Sequence, residues 1–290
     1  MEVFRPSSLR EALEIRAAHP EALPIAGGTD LMVELNFGRR RPEAMLDISQ
    51  LPELQVIRRE GGTVFLGSGV TYSRIMRDLA DQTALARASR TVGSPQIRNR
   101  GTVGGNLGTS SPAGDALPAL AAYDADVLLA SATATRRVSW RDFLVGPKRN
   151  ALGPDELIVG VQWKEPQGPG SFSKVGTRNA MVIAIAGVCL QVDETSRAVR
   201  VALGSVGPTI LRATEAEAFG AQAFDEYGAW ADPRASVSEA ALARFGELVA
   251  RAARPIDDVR GTAAYRRHVC GVLGRRALAW ALDDRRAWAS

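Results

Sequence analysis

The chain begins with an amphipathic pattern: Leu9, Ala12, Leu13 and Ala17 share one helical face, Ser8 and Glu11 stand at capping-box spacing, and Pro20 stops the run. Short apolar runs at 23–26, 45–48 and 63–67 predict strands. The first enters Gly27-Gly28 and the last leaves the Gly61-Gly62 turn. Leu31, Met32, Val33 and Leu35 then predict the start of a further buried element. The helical period returns over 73–85, with Ile75, Met76, Leu79 and Ala80 on the inner side. Between 91 and 115 both periods vanish among eight glycines or prolines, which predicts a long loop of the kind that carries function.

Strand patterns follow at 125–131, 136–140 and 157–163, the first two paired. Glu165-Pro166-Gln167-Gly168-Pro169-Gly170 is the richest cluster of breakers and marks a domain boundary. Beyond it, 182–192 and 198–206 predict a hairpin turning at Asp193-Glu194-Thr195. Ser236 and Glu239, at capping-box spacing, precede a helix carrying Leu242, Phe245 and Val249. A last helix carries Tyr265, Val269, Val272, Leu273, Ala277 and Trp280. Strands first and helices afterwards imply an α+β second domain. The expected division is 1–167, with subdomains of about 1–55 and 56–167, followed by 168–290.

Composition changes this picture only at its edges. At 290 residues, 46% hydrophobic and 23% charged, the chain has the proportions of an ordinary globular protein. No apolar run reaches membrane-span length and the first residues lack the apolar core of a secretory signal, so a cytoplasmic protein not integral to a membrane is expected. A net charge of +4 and a pI of 9.4 raise nucleic acid as a partner. Scattered arginines, 6% aromatics and the absence of a basic stripe point instead to solvated surface. Cys189 and Cys270 form no CxxC and cannot supply the four ligands of an iron–sulfur cluster; they read as small buried hydrophobes. His19 and His268 stand in neither an HExxH nor a GxSxG setting, and no P-loop or GxGxxG occurs.

The candidate chemistry lies in two glycine-rich stretches, Ala26-Gly27-Gly28-Thr29-Asp30 and Gly101-Thr102-Val103-Gly104-Gly105-Asn106-Leu107-Gly108. Consecutive glycines let backbone amides approach an anion, and a run of such amides makes a concave nest for phosphate oxygens. Thr29, Thr102 and Asn106 could add side-chain donors. A pair of plain turns would use the same residues.

Together, in this order, the two stretches resemble the pyrophosphate loops of the FAD-binding medium subunits of the xanthine dehydrogenase and carbon monoxide dehydrogenase family. Ser111-Pro112-Ala113-Gly114-Asp115-Ala116-Leu117-Pro118 extends the similarity. So do Phe172 through Arg178, similar to that family's flavin-contacting segment, and Pro255-Ile256-Asp257-Asp258 with 261–266, similar to its C-terminal ending.

The resemblance implies a FAD-binding domain of the vanillyl-alcohol-oxidase (PCMH) type, followed by a smaller α+β domain with a three-stranded sheet and a helical bundle. It implies FAD cradled by Ala26, Gly27, Gly28, Thr29 and Asp30 and by Thr102, Gly104, Gly105 and Asn106. Asp115 would hydrogen-bond the cofactor, Lys174 would lie near the isoalloxazine ring, and Ile158 and Ile183 would pack near it. A cation there stabilises an anionic reduced flavin. With no histidine beside either loop, FAD is expected to be held non-covalently.

The implied partners are a molybdopterin-binding large subunit and a [2Fe–2S] small subunit in a dimer of heterotrimers, together with an external electron acceptor. Substrate chemistry would then lie in another chain. Asn179-Ala180-Met181 replaces the acidic residues found after this segment in xanthine-type enzymes, which leaves the acceptor open. The competing readings are a stand-alone reductase of the same fold, similar to the UDP-N-acetylenolpyruvoylglucosamine reductases, and a basic nucleic-acid-binding protein. The 111–115 segment and the C-terminal pattern oppose the first, and the glycine loops are unexplained by the second.

Overall fold

The computed structural model describes residues 1–288. In chain order, β1 (Glu2–Phe4), α1 (Leu9–Ala18), β2 (Leu23–Ile25), α2 (Leu31–Asn36) and β3 (Ala44–Asp47) are followed by a single 3-10 turn (Pro52–Gln55). Next come β4 (Ile57–Glu60), β5 (Thr63–Gly67), α3 (Tyr72–Asp78), α4 (Thr83–Thr91), α5 (Pro95–Arg100), α6 (Val103–Thr109) and α7 (Ala116–Ala122). Then follow β6 (Asp126–Ala130), β7 (Thr135–Ser139), α8 (Trp140–Phe143), β8 (Leu144–Gly146), β9 (Arg149–Asn150) and β10 (Leu157–Lys164). The chain ends with β11 (Gly170–Val175), β12 (Ala186–Asp193), β13 (Ala198–Gly204), β14 (Leu211–Arg212), α9 (Thr214–Glu226), α10 (Glu239–Ala252) and α11 (Ala263–Trp288).

These elements form two compact units that the chain visits alternately. The first takes residues 1–77, 94–111 and 124–164; the second takes 78–93, 112–123 and 165–290. In the first unit a parallel sheet, β1-β3-β2, packs with α1 around Leu46, Leu51 and Leu54. Ser8 caps α1 as its spacing predicts, accepting from the Glu11 amide. The Glu11 carboxylate reaches the Ser7 amide at 2.7 Å rather than that of Ser8. A five-stranded antiparallel sheet, β4-β5-β10-β6-β7, completes the unit with β10 at its centre.

The second unit is built on an antiparallel sheet, β11-β12-β13-β14, whose strand β12 is buried along its full length. Strand alternation explains this, because side chains two apart share a face. Val188, Leu190, Val192, Val199, Val201 and Leu203 pack with the C-terminal helices, including Phe224, Phe245 and Leu278. The opposite face carries Cys189 and Gly204, and meets α4 and α7, with Pro118 of α7 lying against Gly204. Pro118 is tolerated in the first turn of α7, where its missing N–H would have had no intrahelical partner.

Several expectations need correction. The helix expected over 73–85 is two helices, α3 and α4, broken at 79–82 where Gln82 N–H closes a turn on the Leu79 carbonyl. The expected loop over 91–115 contains the short helices α5 and α6, which glycine-rich sequence hides because it carries no apolar stripe. The N-cap of α10 is Ser238, accepting from the Ala241 amide, and not Ser236. The element begun by Leu31 is a helix, but it buries no residue. The strand expected from 182 begins at Ala186, and the three long strands of the second unit are joined by a fourth of two residues, β14.

Candidate cofactor site

In the first unit the glycine stretches lie against each other for reasons visible atom by atom. A Cβ on Gly27 would stand 1.9 Å from the Arg100 carbonyl oxygen, so only glycine lets this backbone close on the second stretch. Gly28 follows with φ +72°, a left-handed conformation that glycine adopts without strain. Asp30 accepts a hydrogen bond from Thr109 Oγ1 at 3.1 Å, a side-chain tie between the first stretch and the end of α6. The amides of Gly27, Gly28, Thr29 and Asp30 find no protein acceptor among the described residues. Four successive unpaired N–H groups beside a left-handed residue have the makings of an anion nest.

The second stretch uses its amides differently. Val103 N–H donates to the Val70 carbonyl, Gly104 N–H to that of Ser68, Gly105 N–H to Thr102 Oγ1 and Asn106 N–H to the Thr102 carbonyl. Gly104 is tight against Ser68, where a Cβ would come within 2.4 Å of the serine Cβ. At Gly105 a Cβ would meet only Thr102 Oγ1, at 3.2 Å, and the residue is exposed. Asn106 Oδ1 is buried and accepts nothing. A cavity of about 190 Å³ opens where the stretches meet, lined by Ala26, Gly27, Gly69, Thr71 and Thr102 among others. Its wall includes Arg74 and Arg100 and no carboxylate. Arg74 is held in place by the Gln55 carbonyl, 2.6 Å from its Nη1. Ile158, on β10, lies close to Gly108.

The second unit contains Asp115, Lys174 and Ile183. Lys174 projects from β11 onto the face covered by α4 and α7, and its ammonium donates to Asp115 Oδ2 at 2.5 Å, the Thr91 carbonyl at 3.0 Å and the Val182 carbonyl at 2.9 Å. All three N–H donors are thus used. Thr91 Oγ1 also donates to Asp115 Oδ2, whereas Asp115 Oδ1 is buried without a partner. Burial pushes the Asp115 carboxyl above the ordinary carboxylate range, with Lys174 and then Thr91 pulling against it. Ile183 is exposed, next to the Val182 carbonyl that Lys174 holds.

The residues present fit FAD. The unpaired amides and the carboxylate-free basic wall suit a pyrophosphate. The open acceptors Asn106 Oδ1 and Asp115 Oδ1 suit hydroxyl or imide hydrogens. Sequence reasoning did not find Ser68, Thr91, Arg74 or Gln55, since nothing in their local pattern differs from ordinary turn and helix residues. Arg266 stands in the 261–266 segment quoted above only for its resemblance; its buried guanidinium donates to the Ile185 and Ser205 carbonyls and to Asp258. That staple is the physical content of the 255–266 pattern. Among the described residues no cluster of three or more His, Cys, Asp or Glu could hold a metal ion.

Residues 1–163 match the family described as the FAD binding domain in molybdopterin dehydrogenase, and 234–281 match the CO dehydrogenase flavoprotein C-terminal domain. The chain is 38% identical over 205 residues to the nicotinate dehydrogenase FAD-subunit of Eubacterium barkeri, covering 67% of this chain and 69% of that one. It is 30% identical to the carbon monoxide dehydrogenase medium chain of Hydrogenophaga pseudoflava over 97% of both chains. A solved structure of the carbon monoxide dehydrogenase from Hydrogenophaga pseudoflava superposes with a TM-score of 0.84 at 27% identity, covering 98% of each chain. Quinoline 2-oxidoreductase from Pseudomonas putida 86 superposes with a TM-score of 0.85 at 25% identity and the same coverage.

Proposed function

This chain belongs to the FAD-binding subunits of the molybdopterin dehydrogenases, an oxidoreductase family, and from that premise we propose that it is the electron-transfer subunit of a molybdenum hydroxylase complex. It stands between a [2Fe–2S] subunit and an external acceptor, with the molybdenum cofactor in a large subunit and the whole a cytoplasmic dimer of heterotrimers. Among the described residues no helix is long and apolar enough to cross a membrane. Bound FAD supplies a centre that takes up electrons singly and releases them in pairs.

The observation that carries the proposal is the run of unpaired amides at Gly27, Gly28, Thr29 and Asp30, with Ala26 and Gly27 lining a basic cavity. These amides hold the pyrophosphate, with Arg74 and Arg100 offsetting its charge. Thr102 keeps the start of α6 in place through Gly105, and Asn106 offers its open Oδ1 as an acceptor. In the second unit, Asp115 Oδ1 is the acceptor assigned to the cofactor. Lys174 fixes that carboxylate and contributes positive charge, and Ile158 and Ile183 supply apolar surface. FAD is held without a covalent bond, since neither His19 nor His268 adjoins a glycine stretch and both cysteines are buried.

The test is to purify the chain alone and with its partner subunits. One FAD per chain, released completely into the supernatant on denaturation, is expected. Aldehydes, purines, N-heterocycles or carbon monoxide should bleach the flavin only in the assembled complex. Bleaching in the isolated chain, or a chain that refuses FAD, would overturn the proposal.

A further inference from the structure

The hairpin of β8 and β9 reaches the surroundings of both cofactor stretches in the first unit, although none of its residues lines the cavity between them. Helix α6 ends at Thr109, and Pro112, four residues beyond Gly108, has no N–H with which to continue it. Carbonyls at this helix end are met from the hairpin. Asn150 Nδ2 donates to the Gly108 carbonyl at 3.0 Å and to the Leu107 carbonyl at 3.4 Å, and lies 3.2 Å from Ser110 Oγ. Its Oδ1 accepts the Leu152 amide at 3.2 Å, which turns the NH2 group toward the helix. Lys148 N–H adds a bond to the Ser110 carbonyl at 3.1 Å. Both residues of that bond are left-handed, Lys148 with φ +54° and Ser110 with φ +48°. Residues other than glycine keep such backbone only where their surroundings enforce it.

The same turn is tied to α2. Lys148 Nζ donates to Glu34 at 2.8 Å, and this bond is the chief reason that the Glu34 carboxyl is held below its ordinary range. Helix α2 buries none of its residues, so packing does little to fix it, and its N-cap is Asp30, the last residue of the first stretch. Asp30 in turn accepts from Thr109 Oγ1 at the end of α6. These ties close a ring that runs from the first stretch through α2, the hairpin and α6 back to Asp30.

Resting on the reading that the two stretches hold FAD, we infer that the β8–β9 hairpin is the clasp that sets their separation, with Asn150 and Lys148 as positioning residues for the cofactor. Asn150 acts through the end of α6 and Lys148 through α2. A nest of amides holds an anion only while its donors converge on one point, so a stretch that shifts against its neighbour loses affinity even in a folded chain.

The experiment titrates FAD into the full chain, freed of cofactor, and follows fluorescence quenching, with circular dichroism confirming that each variant is folded. Asn150→Asp keeps the side chain's shape but sets a carboxylate against two carbonyls, and should weaken FAD about 10-fold near neutral pH. Measured as a ratio to wild type at each pH, that deficit should shrink on acidification, because the protonated carboxyl donates one hydrogen again. Asn150→Leu should show an equal deficit with no such recovery. Lys148→Met should weaken FAD about threefold, less so in high salt, which screens the ion pair it removes.

Wild-type FAD affinity in folded Asn150→Asp overturns the inference and leaves the proposed function intact. So does a deficit in Asn150→Asp that acid does not relieve, since the lost donor would then not be its cause. Should neither Asn150 variant fold, Lys148→Met decides, and wild-type affinity there overturns the clasp. A wild-type chain that refuses FAD overturns the proposed function and the inference together.

Discussion

At residues 27–30 the amides are unspent, whereas at 103–106 each amide already donates within the chain. Both stretches contain adjacent glycines, and in each one glycine is present because a neighbouring backbone passes too close for a Cβ. Gly27 serves Arg100 in this way and Gly104 serves Ser68. The second glycine differs. Gly28 supplies a left-handed turn in a run of amides that have no acceptor in the chain, while Gly105 sits exposed in the first turn of a capped helix, where a Cβ would meet only the capping Thr102 Oγ1. A glycine pair is therefore not one kind of signal: one stretch is built to donate and the other to hold it in position.

Breaking the shared part of this arrangement should have the largest effect. Gly27→Val and Gly104→Val each drive a side chain into backbone or Cβ atoms, and we expect losses of more than ~3 kcal/mol, read as urea midpoints, with no FAD retained. A soluble Gly104→Val protein of wild-type stability would contradict the packing account.

The next effect lies away from both stretches, at the Lys174–Asp115 pair. Lys174→Met strands a buried carboxylate and should cost about 3–5 kcal/mol near neutral pH, with Lys174→Met/Asp115→Asn recovering much of it. A carboxyl whose pKa is raised on folding adds stability that is fully present below its ordinary value and lost as pH rises through the folded one. The deficit of Lys174→Met should therefore shrink as the medium is acidified toward the carboxylate range. A deficit independent of pH would mean that the Asp115 charge is not what the lysine offsets.

Smaller changes sharpen the contrast between the two second glycines. Gly28→Ala should lose ~1–2 kcal/mol for its left-handed backbone, since the nearest atom to the new Cβ is the flexible Met32 Cγ at 3.3 Å. FAD binding, followed by fluorescence quenching, should weaken with it. Gly105→Ala should stay within about 1 kcal/mol of wild type, because alanine suits a helix better than glycine. The smallest effect is expected at the cysteines. Burial pushes the Cys270 thiol up to about 12 and the Cys189 thiol higher, so iodoacetamide at mildly alkaline pH should modify neither until urea is added.

The positions of the glycine stretches, the capped first helix and most long strands were legible because each depends on local rules of period, capping or backbone freedom. Less legible was anything decided by what covers a surface. The apolar residues of α2 read as buried, yet none of them is, and Met32 and Val33 are exposed. Cys189 read correctly as buried, but nothing in its surroundings announced that α4 and α7, from far earlier in the chain, form the lid of its face of the sheet. Lys174 was singled out by resemblance. Its three acceptors were not, because two of them are backbone carbonyls, at Thr91 and Val182, which any residue type provides.

The alternation of the chain between its two units also dictates a timetable for synthesis. Strand β10, central in the five-stranded sheet, is the last element the first unit receives, so β5 and β6 wait for it with their inner edges unpaired. Helices α4 and α7 leave the ribosome well before strands β11 and β12 exist to receive them. At a few to some twenty residues per second, those apolar helix faces stay open for seconds on every nascent chain. Translation speed and chaperone supply should therefore govern the yield of this protein more strongly than its final stability does.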